Sequence, residues 1–218
     1  MLIDCGCKDD SYALLKSVHN LGLTLKDIQY LLLTHHHSDH CGLLPFLLFE
    51  NPDMRVIMSK LCAEHLKTGK HYKSENERYA SAMLKLTMGL YFRFSKSISD
   101  QFEPFEARSK DFIIDGEDAE FLPRLGIDAK IMPTPGHTDD SISVIADEAA
   151  FVGDAARNIL NIEGAPYRPL LVSDLDMCNK SLLNVINSGV SIICPAHGEP
   201  FSAEKLGFLR SKADKAKK

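Results

Sequence analysis

Directly behind the apolar run Tyr30-Leu31-Leu32-Leu33, the chain reads THHHSDHCG from Thr34 to Gly42. The run reads as a buried strand, and the loop after it carries His35, His37, Asp39 and His40 within six residues. Imidazole nitrogen and carboxylate oxygen are the ligands that zinc and its neighbouring divalent metals take, and a loop at a strand end can turn several of them inward together. A solvated loop gives no reason for this alternation, so the cluster reads as a metal site. Alternation turns His36 away from the face shared by His35 and His37, which puts it behind the ligands or in solvent. Three further candidates each follow a short apolar stretch: His137 in PTPGHTDDS, Asp154 in FVGDAARN and His197 in CPAHGEP. His19, His65 and His71 lack that setting and read as surface or internally satisfied histidines.

The order HxHxDH, then GHT, then GD after an apolar strand, then a late His before Gly resembles the metallo-beta-lactamase superfamily of metallohydrolases, from Leu2 to Phe208. The resemblance implies an α/β fold, the four-layered αββα sandwich. It implies a single domain over 1–218 with a helical cap inserted at about 67–108. It also implies two divalent metal ions, zinc in the first instance with iron or manganese as alternatives. One would be held by His35, His37 and His137, the other by Asp39, His40 and His197, with Asp154 bridging. Asp39 is further implied as the catalytic residue that orients a metal-bridging hydroxide and passes a proton to the leaving group. The motif is specific for the fold and much less so for the substrate.

The reaction expected from this resemblance is hydrolysis of an ester, thioester or lactone bond in a small anionic metabolite. One alternative is an oxidoreductase, a mononuclear iron enzyme of the persulfide dioxygenase type. Such enzymes usually leave the second-metal positions unused, whereas Asp39, His40 and His197 are all present here. The other is a metal-dependent nuclease or phosphodiesterase, favoured by a basic insertion and opposed by the net charge of −5. Glyoxalase II enzymes carry a glycine-rich GCGRF-like segment after the bridging Asp, and acyl-homoserine lactonases a tyrosine; this chain has Ala155, Ala156 and Arg157. Arg157 is a candidate for meeting a carboxylate or phosphate, against a solvent-exposed or salt-bridged role.

With 218 residues, 44% of them hydrophobic and 25% charged, the chain is long enough for one sizeable core. No run of 18 apolar residues exists to span a membrane, and LIDCGCKDD after Met1 lacks the character of a signal peptide, so a cytoplasmic enzyme is expected. Six cysteines without a CxxC pair are expected to be reduced thiols, Cys41 being a small buried filler beside His40. Family members usually carry one or two strands before the one matching LIDCG. A bare edge there, or the helical insertion, is expected to favour a homodimer.

Strands are predicted at Leu2–Asp4, 30–34, 55–59, 112–114, 119–122, 128–132, 141–146, 149–153 and 191–194. Helices are predicted from Asp9 to Asn20 with Tyr12, Leu15 and His19 on one face, from Gly42 to Phe49, from Ser59 to about Thr68, over 175–187, and from Ser202 onward before a lysine-rich tail. Between Lys67 and Lys96, seven Lys and Arg residues stand against Glu75 and Glu77, which suggests a positive cap drawing in an anionic substrate. There Tyr79, Met83, Leu86, Leu90 and Phe94 recur at helical spacing, with Met88, Tyr91 and Phe92 widening the apolar face. Packing on its own domain or a partner subunit, a substrate-lining lid, and membrane-surface contact are the three readings of that face.

Overall fold

Short apolar runs alternating with helices form two compact units, Met1–Tyr72 with Ile98–Gly116, and Lys73–Ser97 with Glu117–Lys218. The structure is a computed structural model that describes residues 1–94, 99–159, 161 and 166–209, with the backbone alone at 90–94. The elements begin β1 (Leu2–Ile3), α1 (Ser11–Asn20), β2 (Tyr30–Leu32), α2 (Ser38–Cys41), α3 (Leu44–Glu50), β3 (Arg55–Ser59) and α4 (Lys60–Leu66). The segment 67–108 adds β4 (Arg78–Tyr79) and α5 (Ala82–Phe94). Then follow β5 (Phe112–Ile114), α6 (Phe121–Arg124), β6 (Lys130–Pro133), β7 (Ile142–Ala146) and β8 (Ala149–Phe151). The chain continues through β9 (Leu171–Val172), α7 (Leu175–Asn187), β10 (Ile192–Cys194) and β11 (Phe201–Ser202).

In the first unit, β1, β2, β3 and β5 lie side by side in that order, all parallel, with Leu31 opposite Val56 and Ile57 opposite Phe112. A parallel sheet is covered on both faces, which is why Leu31, Leu32, Val56, Ile57 and Met58 are all fully buried and the strands read as continuous apolar runs. Helix α1 packs through Leu14 and Val18 and leaves Tyr12 and Leu15 exposed, the reverse of the predicted face. Both stripes have helical spacing, so periodicity cannot choose between them; docking against the β1–β2 core does. Ser59 caps α4 as expected, its hydroxyl accepting the Cys62 N–H.

Asp111, whose side chain is inaccessible to solvent, ties strand β3 to the Arg108 turn of this unit. Its carboxylate accepts the Val56 N–H at 2.9 Å and the Arg108 N–H at 2.8 Å, and pairs with the Arg108 guanidinium at 2.7 Å. Burial alone would raise its pKa, but the hydrogen bonds from Arg108 and Val56, with the Arg108 charge, outweigh it and hold it below the ordinary 3.8. A depressed carboxylate stabilises the fold above its unfolded pKa, and the contribution disappears as pH falls through the folded value. Acid unfolding followed by circular dichroism is therefore expected to steepen below about pH 4, and Asp111→Asn to cost about 2–4 kcal/mol at pH 7 while flattening that limb.

In the second unit the sheet order is β11-β10-β8-β7-β6. The β7–β8 hairpin turns at Asp147 and Glu148 as predicted, with Asp147 in the left-handed region at φ 50°. Helix α7 carries the chain from β9 to β10, which lies parallel to β8. Asp174 caps α7 by accepting the Asp176 and Met177 N–H groups, and Cys178, Leu182, Val185 and Ile186 form its buried face. Three expectations change here. Residues 119–122 are not a strand: Asp118 accepts the Glu120 N–H, a local side-chain turn that starts the short helix α6. The helix predicted from Ser202 does not begin there: strand β11 ends at Ser202 and a 3-10 turn, Ala203–Leu206, follows, with α-helical backbone at 208–209; residues 210–218 with the lysine-rich tail lie outside the described residues. In α5 the buried positions are Leu84 and Met88, while Met83 and Leu86 are exposed. Tyr79 lies outside the helix, in β4 paired to β9, and the side chains of Leu90, Tyr91, Phe92 and Phe94 lie outside the described residues. Among the described residues no helix is long and apolar enough to cross a membrane.

Candidate metal centre

The predicted ligands fall into two sets, one in each unit, and every one stands just beyond a strand end. In the first unit the loop after β2 carries His35, His37, Asp39 and His40 into the short helix α2. The rings of His35 and His37 are 4.6 Å apart between centroids, those of His35 and His40 4.0 Å, and His40 Nε2 lies 3.9 Å from Asp39 Oδ1. The three imidazoles are at most 8% exposed.

Asp4, which the sequence marks only as the end of the first strand, organises this cluster. Parallel pairing of β1 with β2 brings it beside Thr34, and it adopts a left-handed backbone at φ 56°. One carboxylate oxygen accepts the Thr34 N–H at 2.7 Å; the other accepts the Thr34 hydroxyl at 2.7 Å and His40 Nδ1–H at 2.8 Å. With its proton committed to Asp4, the Thr34 oxygen accepts from His35 Nδ1–H, 3.0 Å away. Both histidines are thereby held as the tautomer whose lone pair sits on Nε2. A carboxylate that fixes the far nitrogen of a histidine is the usual support behind a metal-ligating imidazole.

The second unit repeats the logic with a peptide oxygen. His137 Nδ1 donates to the Leu171 carbonyl at 2.8 Å, so its lone pair is on Nε2. Strands β8 and β10 are parallel neighbours, so Asp154 and His197 leave the same edge of the sheet; β7 runs antiparallel to β8, which brings the β6–β7 connection with His137 to that edge. Asp154 stands between the two imidazoles, Oδ2 3.6 Å from His137 Nε2 and Oδ1 3.4 Å from His197 Nε2. One carboxylate presenting each oxygen to a different histidine is suited to a bridging position.

Around the ligands, several readings are altered. His36 is fully buried, which rules out solvent exposure; its Nε2 accepts the Tyr72 N–H at 2.9 Å and its ring lies 4.5 Å from that of His65. His65 stacks on Tyr72 at 4.7 Å, and His71 on His37 at 4.2 Å. Their proximity depends on long-range folding, and no local pattern in the sequence signals it. Arg157 is 2% exposed, so the solvent-exposed reading is withdrawn. Cys41 is buried as expected, burial pushing its thiol pKa up, and its Sγ donates to the His36 carbonyl at 3.3 Å. Cys5 donates likewise to the His40 carbonyl at 3.1 Å, so two thiols tie down the ligand loop. None of the six cysteines is in a disulfide.

A family model described as the metallo-beta-lactamase superfamily matches residues 1–197. The chain belongs to that superfamily. The metallo-beta-lactamase fold-containing protein ST1585 of Sulfurisphaera tokodaii is 29% identical over 174 residues, 80% of this chain and 62% of its own length. The solved structure of ST1585 has a TM-score of 0.60 at 24% identity, covering 96% of this chain and 74% of that one, a likeness of fold. The probable metallo-hydrolase YqjP of Bacillus subtilis is 23% identical, covering 93% of this chain and 65% of its own. Ribonuclease J of Mycobacterium tuberculosis is 38% identical over 66 residues, 28% of this chain and 12% of its own. The chain thus spans less than two thirds of the length of each of these three relatives. Superfamily members are mostly metal-dependent hydrolases, and the His and Asp clusters found here are able to bind metal ions.

Proposed function

We propose that the two ligand sets serve one dinuclear centre in a single hydrolase domain. His35, His37 and His137 would hold one ion and Asp39, His40 and His197 the other, with Asp154 as the shared carboxylate. The observation that carries this reading is the fixing of tautomers: Asp4 and Thr34 in one unit and the Leu171 carbonyl in the other leave His35, His40 and His137 with Nε2 lone pairs. The donor set of imidazole and carboxylate fits zinc first, with iron and manganese as alternatives. Two such ions, when bound, lower the pKa of a shared water towards about 7 and polarise the oxygen of the bond under attack.

The protein's own part is orientation and proton traffic. Asp39, in the first turn of α2 with its side chain 18% exposed, accepts a hydrogen bond from the attacking water and passes the proton to the leaving group. Asp4 holds His40 against rotation while this charge shifts. The basic balance of the 67–96 segment favours a small anionic ester, thioester or lactone. A second reading, cleavage of a phosphodiester, is favoured by the 66-residue likeness to ribonuclease J.

Elemental mass spectrometry on protein purified without chelators tests the proposal. About two zinc or manganese ions per chain are expected. About one iron per chain would replace it with the mononuclear dioxygenase. In a panel of esters, lactones and short RNA, turnover of RNA alone that is lost in Asp39→Asn would select the nuclease.

A further inference from the structure

Within the first unit, residues 69–72 and 99–102 form a strap beside the ligand loop. It is closed by His71 N–H to the Asp100 carbonyl at 2.8 Å, Phe102 N–H to the Gly69 carbonyl at 3.0 Å, and a bridge between Lys70 and Gln101. Three hydrogen bonds join strap to loop. His71 Nε2 accepts the Ser38 N–H at 2.7 Å, the Ser38 hydroxyl donates to the Ser99 carbonyl at 2.6 Å, and the Tyr72 N–H reaches His36. A peptide N–H only donates, so the His71 lone pair is on Nε2 and the proton on Nδ1, 3.7 Å from Asp100 Oδ1. The same ring stacks on His37 with 25° between planes.

We propose that His71 is a positioning residue of the metal centre, acting through the Ser38 peptide and the His37 ring. Ser38 is the residue between His37 and Asp39, so anchoring its peptide fixes where both neighbouring side chains start. The stacked imidazole then limits rotation of the His37 ring. This gives the first arm of the insertion a task that its basic charge and apolar helical spacing did not suggest. The inference rests on the reading of His37 and Asp39 as metal ligands.

The test is titration of the metal-free protein with Co2+, followed by its visible ligand-field bands, beside thermal melting in chelator. His71→Phe keeps an aromatic face and loses the acceptor. Its Co2+ affinity is expected to fall about tenfold or more, with altered bands. His71→Gln, whose amide oxygen can accept the Ser38 N–H, is expected to recover affinity to within about threefold of the wild type. If His71→Phe does not fold, Asp100→Ala, at a side chain 52% exposed, provides the same readout with an expected loss of about threefold. Wild-type affinity and bands in His71→Phe, or in Asp100→Ala where that variant stands in, overturn the inference. Absence of Co2+ binding by the wild type overturns the metal-centre reading instead.

Discussion

Asp154→Asn is expected to lower kcat/KM at least a hundredfold and to take the bound metal from about two ions per chain to about one, with little change in melting temperature measured in chelator. In the wild type each carboxylate oxygen faces a different imidazole, at 3.6 and 3.4 Å. An asparagine retains one oxygen and turns an NH2, a donor, towards the other position, so in the proposed dinuclear centre one ion would lose an anionic ligand and the site a full charge. A hundredfold loss corresponds to about 2.8 kcal/mol at ~1.4 kcal/mol per decade, comparable with the loss of one oriented donor from an oxyanion site. Metal analysis and steady-state kinetics on the same preparation check it together. Unchanged rate with two ions still bound would remove Asp154 from the bridging role; unchanged rate with one ion would show that a single ion suffices.

The largest effect on stability is expected at Gly136. Its φ of +134° lies where side chains are rarely accommodated, and a Cβ there would overlap the backbone nitrogen and Cα of Cys178 in the first part of α7. Neither side can yield cheaply. The Gly136 carbonyl accepts the Ser173 and Asp174 N–H groups that start α7, and α7 is anchored in the core through Cys178, Leu182 and Val185. Backbone strain and overpacking together give an expected cost of about 3–5 kcal/mol for Gly136→Ala, or a melting temperature lower by ~10 °C. Gly22→Ala is the control: its φ is also positive, at +73°, but nothing lies within 4 Å of a Cβ there, so about 1 kcal/mol is expected. If the two variants melt alike, the close approach of the His137 loop to α7 is not what demands glycine.

Much of the candidate site was legible because metal ligation restricts residue type so strongly. His35, His37, Asp39 and His40 stand together in the chain, and His137, Asp154 and His197 each follow an apolar strand, so the seven could be named without coordinates. Strand β3, strand β5 and helix α7 were also readable to the residue, since an apolar run with a clear capping or turn residue leaves one assignment. Apart from the local Asp118 turn that replaces the strand predicted at 119–122, the failures share a cause. Strands β4, β9 and β11 are two residues each and exist only through their pairing partners, which lie far along the chain or around a turn. The wrong faces of α1 and α5 arose because two stripes with equivalent spacing were available and only packing distinguishes them.

Local chemistry in the sequence determined which residues could ligate a metal, because few side chains offer the right atoms and they cluster at strand ends. Tertiary structure decided how they are held. Asp4 stands 36 residues from His40, Leu171 34 from His137 and His71 33 from Ser38, yet each pair is joined by a hydrogen bond. A ligand's identity is a property of one residue; its tautomer and orientation depend on what the folded chain brings against its other side.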